Sequence, residues 1–389
     1  MLLNAPTLAP SHRHWAALWL ALASPFWLSP AWGWGHAGHQ VIGSLADELL
    51  VGTPAAKKVA ALLGPGVNNL QTAAVWLDCT RDVEFRLPDS YLYKANPKFP
   101  TKACAPFLVG AELNRMQDFA RRNWHNCPAG GASPASPASP ASVASPPDAA
   151  GSGGLACHRS YHFTDVAVQR AEYSRQHVGT NSHDIVATLQ AAIAVLRNGP
   201  PAVAPFKIKD RKEALLLIAH LVGDLHQPLH VGAVYLHDDG SVVDPDAGSP
   251  PVPDVHDTRG GNSLEIGDSD LHAAWDTIPS SITLTGLASG PGQKRRQALL
   301  AAARAVPATP GAPAMLGSWP EAWASDTVVA APAAFAGLGF SRSGAIDPRH
   351  WAVQFSDRAG YDAAREALQR RQVSVAAARL AQLLRAVWP

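Results

Sequence analysis

DRKEALLLIAHLVGDLHQPLH, residues 210–230, combines a helical apolar repeat with three side chains that ligate metals. Ala214, Leu215, Leu217, Ile218 and Leu221 recur at helical spacing, and Asp210 stands where an N-cap belongs. On that helix His220 and Asp224 are four residues apart and share a face. Pro228 ends the helix, so His230 returns from the turn toward the same place. Alone, a His-x3-Asp pair is as readily an ordinary helix ion pair as a ligand pair. Adding His230 clusters three such side chains in one short run, which favours a metal site.

The spacing recurs downstream. His272-Ala-Ala-Trp-Asp276 follows NSLEIGDSDL, where Asp270 can cap a second helix. Trp34-Gly-His-Ala-Gly-His39 supplies a further histidine pair near the start of the chain. Imidazole nitrogen with carboxylate oxygen is ligand chemistry suited to zinc. Asp78 in AVWLDCTRD and His162 in SYHFTD are weaker individually, a turn carboxylate and a structural histidine being the plain readings. His36 and His226 are assigned supporting or surface roles.

Residues 1–33 read as a signal peptide. Arg13 leads into the apolar run WAALWLALAS, then Pro25, Pro30 and Ala31-Trp32-Gly33, which places cleavage after Gly33. The run is short for a membrane span. Residues 34–389 are therefore expected to be exported, secreted or periplasmic, without a membrane anchor or a stable protein partner, and monomeric. With 32 Lys and Arg against 31 Asp and Glu, the chain has no basic surplus for non-specific duplex binding. An anionic substrate must be attracted locally: three zinc ions facing three carboxylates leave about three positive charges in one cleft. Cys79, Cys104, Cys127 and Cys157 form no C-x-x-C, and in an exported chain imply two disulfides, with three connectivities open. Cys79 as a metal ligand beside Asp78 is the weaker alternative.

Helical spacing dominates, in HQVIGSLADELLV, KKVAALLG, VGAELNRMQDFARRNW, HDIVATLQAAIAVLR and the long C-terminal DRAGYDAAREALQRRQVSVAAARLAQLLRAVW. Strand-like alternation is scarce. The expected fold is all-α, a single helical domain with long loops. Residues 128–154, rich in Ala, Ser and Pro, read as a low-complexity insertion that cannot support a packed core. Residues 232–260 form a second loop rich in Asp, Pro and Gly.

Taken in order, WGHAGH, VWLDCTR, YHFTD, AHLVGDLHQPLH, GGNSLEI and DLHAAWD carry a resemblance spanning residues 34–276. The chain resembles the zinc-dependent single-strand nucleases of the S1/P1 type, related in fold to zinc-dependent phospholipase C. The HxxGDxHQPLH run is the most specific piece. The resemblance implies three Zn2+. Asp78, His162, His220 and Asp224 would hold one. Asp224 would bridge to a second, completed by His39 and by the α-amino nitrogen and carbonyl oxygen of Trp34. His230, His272 and Asp276 would hold the third. Asp78 and Arg81 would be catalytic, the first as ligand and orienting carboxylate, the second as a donor fork to the scissile phosphate. Phe163 would stack on a nucleobase, and Asp165 would hydrogen-bond it, with Arg81 completing the substrate contacts.

The implied activity is hydrolysis of single-stranded DNA and RNA to 5′-nucleotides, with 3′-nucleotides as further substrates. The long insertion between Asp78 and His162 and the extended loop after His230 depart from the family pattern. A phospholipase C is the nearest alternative, and a non-catalytic periplasmic zinc-binding protein the alternative of another class. The second would carry surplus histidine tracts, which are absent. A metalloprotease lacks its H-E-x-x-H.

Overall fold

The helix Arg211–Asp224 runs through the middle of the molecule. Every residue from Glu213 to Asp224 is buried, so this helix is enclosed on all sides rather than amphipathic. Each of its leucines contributes about 1.5–3 kcal/mol by leaving water. Asp210 caps it, accepting the Glu213 N–H at 2.9 Å. Glu213 is neutralised at the buried first turn by Arg122, whose Nη2 lies 2.7 Å from its Oε2. Around this axis pack Ile185–Leu196, the short helix Trp76–Thr80, Gly35–Leu50 and the C-terminal Arg358–Val387.

This computed structural model describes residues 34–86, 90–95, 101–127, 156–199, 205–248, 255–288, 290–310, 313–343 and 350–389. The expected signal peptide and the Ala/Ser/Pro insertion lie outside them. The described residues fall within one compact unit, Ala31–Pro389, and include twelve α-helices. The remaining repeats noted in the sequence form Pro54–Leu63, Gly110–Arg122 and the 30-residue Arg358–Val387. Among the described residues no helix is long and apolar enough to cross a membrane.

The fold is mostly helical, with short sheets that the sequence did not suggest. Strands of two to five residues are too brief to display the alternation by which strands are recognised. Two of these sheets position ligand-bearing segments. Val166–Ala167 pairs in parallel with Gly232–Ala233, tying the chain after His162 to the chain after His230. A four-stranded sheet, ordered 338–342, 351–355, 264–266, 269–270, delivers the chain directly into the helix Leu271–Asp276. Asp270 caps that helix, accepting the Ala273 N–H at 2.7 Å.

The cysteines pair as Cys79–Cys104 and Cys127–Cys157, choosing one of three connectivities and excluding Cys79 as a thiolate ligand. The first bridge anchors the residue beside Asp78. The second closes the segment containing the Ala/Ser/Pro insertion and holds the start of the turn Cys157–His162.

Candidate metal centre

His220 and Asp224 share the inner face of the central helix, with His220 Nε2 2.9 Å from Asp224 Oδ2. The helix ends at Asp224, four residues before Pro228. Tight turns continue through His226 and Gln227, because their N–H groups reach Gly223 and Asp224 carbonyls. A short 3-10 turn, Pro228–His230, then brings His230 back.

Three of the histidines are oriented alike. Nδ1 of His220 donates to the Ala74 carbonyl (2.7 Å), that of His230 to the His162 carbonyl (2.7 Å), and that of His272 to the Gly260 carbonyl (2.8 Å). A carbonyl only accepts, so each Nδ1 carries a proton and Nε2 is the ring atom turned toward the cluster. The Nε2 atoms of His230 and His272 face each other at 3.0 Å. At that distance the two nitrogens must share either a proton or a metal cation.

The upstream segments bring the remaining groups. His39 Nε2 is 3.1 Å from Asp224 Oδ1, and His162 Nδ1 is 3.0 Å from Asp224 Oδ2. Asp78 Oδ1 is 3.8 Å from His220 Nε2. Gly223 permits the approach of His39: a Cβ there would stand 2.9 Å from His39 Nδ1. Trp34 is fully buried and its indole N–H donates to the Gly223 carbonyl at 2.9 Å. Three sets thus have ligand atoms close enough to hold an ion: His39/His220/Asp224, Asp78/His162/His220 and His230/His272/Asp276. A fourth set, His36 with Cys79 and Cys104, is not usable because those sulfurs are bonded to each other.

The donor set fits a metal on its own chemistry. Both Asp78 oxygens, His162 Nε2 and Asp276 Oδ2 are buried without hydrogen-bond partners, a costly arrangement unless a cation takes those lone pairs. Burial lowers the pKa of His39, brings His162 down to about 4 and His272 well below its ordinary value, keeping these rings neutral. Burial would raise Asp224 and Asp78, but imidazoles outweigh it, led by His220 in each case, and both carboxyls stay below the usual range. Asp276 goes the other way, raised by burial and by Asp224, Asp270 and Asp78 although Gln227 opposes the shift. Burial lowers His220, yet Asp224 and Asp78 outweigh it and raise the ring, two carboxylates drawing positive charge to one point.

Arg81 is buried with Nη1 3.9 Å from Asp78 Oδ1, and feels Asp78, Asp224 and Asp276 together. Phe163 directly follows His162 and is half-buried. Asp165 is buried, and its carboxyl is raised well above its ordinary range by burial, then by Asp257, with Arg259 opposing. Its charged neighbours are thus at the end of the strand His256–Asp257 and just after it rather than in the ligand cluster. His36 has its Nε2 3.8 Å from Asp78 Oδ2. His226 corrects the expectation of a surface position: it is fully buried, donating to the Val222 carbonyl at 2.7 Å and pairing with Arg379 Nη1 at 2.9 Å, off the ligand cluster.

Gln227 was missed in the sequence. Its Nε2 donates to Asp276 Oδ1 at 2.7 Å while its Oε1 accepts the Leu229 N–H, so one side chain organises both the turn and a ligand. The carbonyls of Ala74 and Gly260 were also invisible, because a backbone acceptor leaves no mark on residue type. At Gly260 the φ of +57° and a Cβ position 2.0 Å from the Leu229 carbonyl do require glycine.

The family model of the S1/P1 nuclease matches residues 132–388. The chain belongs to the S1/P1 nuclease family. Membership carries a nuclease activity, hydrolysis of phosphodiester bonds in nucleic acid. The match takes in His162, Phe163, Asp165, His220, Asp224, His230, His272 and Asp276, while Trp34, His39, Asp78 and Arg81 of this nuclease lie upstream of it. No curated protein matches the nuclease.

Proposed function

We propose that residues 34–389 form an exported, trinuclear zinc nuclease that cuts single-stranded DNA and RNA to 5′-nucleotides and removes phosphate from 3′-nucleotides. The observation that carries this reading is Asp224. Its two oxygens lie 2.9–3.1 Å from nitrogens of His39, His162 and His220, on three separate segments, with Arg81 beside the neighbouring carboxylate of Asp78.

Asp78, His162, His220 and Asp224 would hold one zinc, Asp224 with His39 and the α-amino nitrogen and carbonyl oxygen of Trp34 a second, and His230, His272 and Asp276 a third. When bound, such ions supply an acidified water and charge stabilisation at phosphorus. The protein's own groups do the rest. Asp78, ionised and buried, orients what binds beside it. Arg81 offers a planar donor fork to the phosphate oxygens as charge develops on them. Phe163 gives an unstacked base a ring to lie on, which a base held in a duplex cannot use. Asp165, held toward its neutral form, can donate a hydrogen bond to a base edge as well as accept one.

The test is metal content by mass spectrometry on protein beginning at Trp34, with hydrolysis followed on single-stranded DNA, duplex DNA and phosphatidylcholine. Three zinc ions per chain and preferential release of 5′-nucleotides from the single strand are expected. Release of phosphocholine without acid-soluble nucleotides overturns the reading in favour of a phospholipase C.

A further inference from the structure

A second feature extends outward from Arg81 and has no part in holding metal. The carbonyl of Arg81 accepts a hydrogen bond from Arg159 Nη2 at 2.5 Å. The Arg159 guanidinium lies 5.9 Å from the centroid of the Trp124 ring. Trp124 meets Tyr91 edge-on at 5.4 Å, and Tyr91 meets Phe85 at 5.2 Å across the hairpin of Val83–Arg86 and Ser90–Tyr93. Direct contacts therefore run from the metal ligand Asp78 through two arginines to a row of three aromatic rings.

Phe85 and Trp124 pack against the main core but are only partly buried, and His125 beside them is exposed. Core packing alone does not require arginine at one end of such a row. The charge around it is positive on balance. Arg81, Arg86, Lys94 and Arg159 stand against Asp78, Asp82 and Glu84, four cations to three carboxylates, with Asp78 beside Arg81 and Glu84 paired with Arg86 and Lys94. Burial raises Asp82 to about 6, with Arg81 and Arg159 opposing. Aromatic faces give sequence-tolerant stacking for unpaired bases, and arginine beside them serves both the phosphate and the ring.

We infer that Trp124, bracketed by Arg159 and Tyr91, is a second base-stacking subsite for single-stranded nucleic acid, separate from Phe163, and that Arg159 contacts the intervening backbone phosphate. The inference rests on the nuclease reading above and adds to it a reach along the strand. The hairpin and Trp124 lie upstream of residues 132–388, in the segment between Asp78 and His162.

Binding of end-labelled, phosphorothioate-linked oligothymidylates to the zinc-loaded protein, read by fluorescence anisotropy, separates the possibilities. A strand of roughly a dozen nucleotides should bind the parent protein more tightly than a dinucleotide does. Trp124→Leu should weaken the longer strand by about fivefold or more, with little effect on the dinucleotide. Trp124→Phe, which restores an aromatic face, should recover most of the difference on the longer strand, whereas a packing role alone would change binding of both lengths alike. Arg159→Gln should weaken the longer strand and flatten its salt dependence. Equal losses on both lengths, or equal behaviour of the leucine and phenylalanine variants, overturn the subsite. Cleavage of unmodified single strands, measured in parallel, tests the nuclease reading separately. A parent protein that shows the length increment without cleaving keeps the subsite and loses the activity, and one that cleaves without the increment does the reverse.

Discussion

The two sides of the metal centre are built by different means. His220, Asp224, His230, His272 and Asp276 sit on or just beyond two helices whose caps, Asp210 and Asp270, are part of the same short stretches. Their spacing is local, a four-residue step aligning each pair, although the carbonyls that fix the His220 and His230 rings, those of Ala74 and His162, come from distant segments. Trp34, His39, Asp78 and Arg81 come from segments far away in sequence. They are brought in by the packing of Gly35–Leu50 on the helix Leu70–Ala73, by the close approach at Gly223, and by the Cys79–Cys104 bridge. Spacing encodes the first side and tertiary packing the second. Asp224 belongs to both.

The largest expected effect is therefore at that shared residue. Asp224→Asn removes a charge that faces His39, His162 and His220, and should lower kcat by more than about a thousandfold while part of the zinc is lost. Steady-state kinetics with metal analysis measure this, and full occupancy with full turnover would remove Asp224 from the core of the site. The packed side is broken by replacing Cys79 and Cys104 together with serine. This should cost about 2–5 kcal/mol in chemical unfolding and weaken metal binding near Asp78 while the His230/His272/Asp276 set still binds. Equal loss at every set would show that the two sides are not separable.

The spacing side is loosened more gently by Gln227→Leu. Asp276 then loses the partner that orients it, and metal affinity at that set should fall by about 10–100-fold in chelator competition. Unchanged affinity would make Gln227 a turn residue only. The last effect, which is absent at neutral pH and develops only in acid, concerns His158, on the packed side. Burial, then the charges of Arg159 and His162, lower it from 6.5 to about 3. Its neutral form is favoured in the folded state, so its stability contribution is complete above pH 6.5 and is lost as pH falls toward 3. The slope should be about 1.4 kcal/mol per pH unit. His158→Phe should remove one proton from the pH dependence of unfolding over that window, and an unchanged slope would contradict the assignment.

Much of the spacing side was legible in residues 210–230 and 270–276, because caps, apolar repeat and ligand steps lie within a few turns of each other. The helical character followed from the same repeats. The short sheets did not, since two or three residues of strand carry no alternation. His226 was misread because helix position alone does not reveal that Arg379 and Trp323, more than ninety residues later, would enclose it. Gln227 went unnoticed beside three histidines, although an amide next to a ligand turn is a natural organiser. The pairing of the cysteines depended wholly on tertiary position.

The Cys127–Cys157 bridge holds its Cα atoms 5.3 Å apart. The bridge therefore makes the chain between them a covalent loop whose two ends meet at one place in the fold. Lengthening such a loop is cheap, about 0.6 kcal/mol for each doubling. Evolution can thus rewrite, extend or delete the intervening sequence without disturbing the turn that ends at His162. The same two posts offer a natural port for grafting a foreign module onto the molecule.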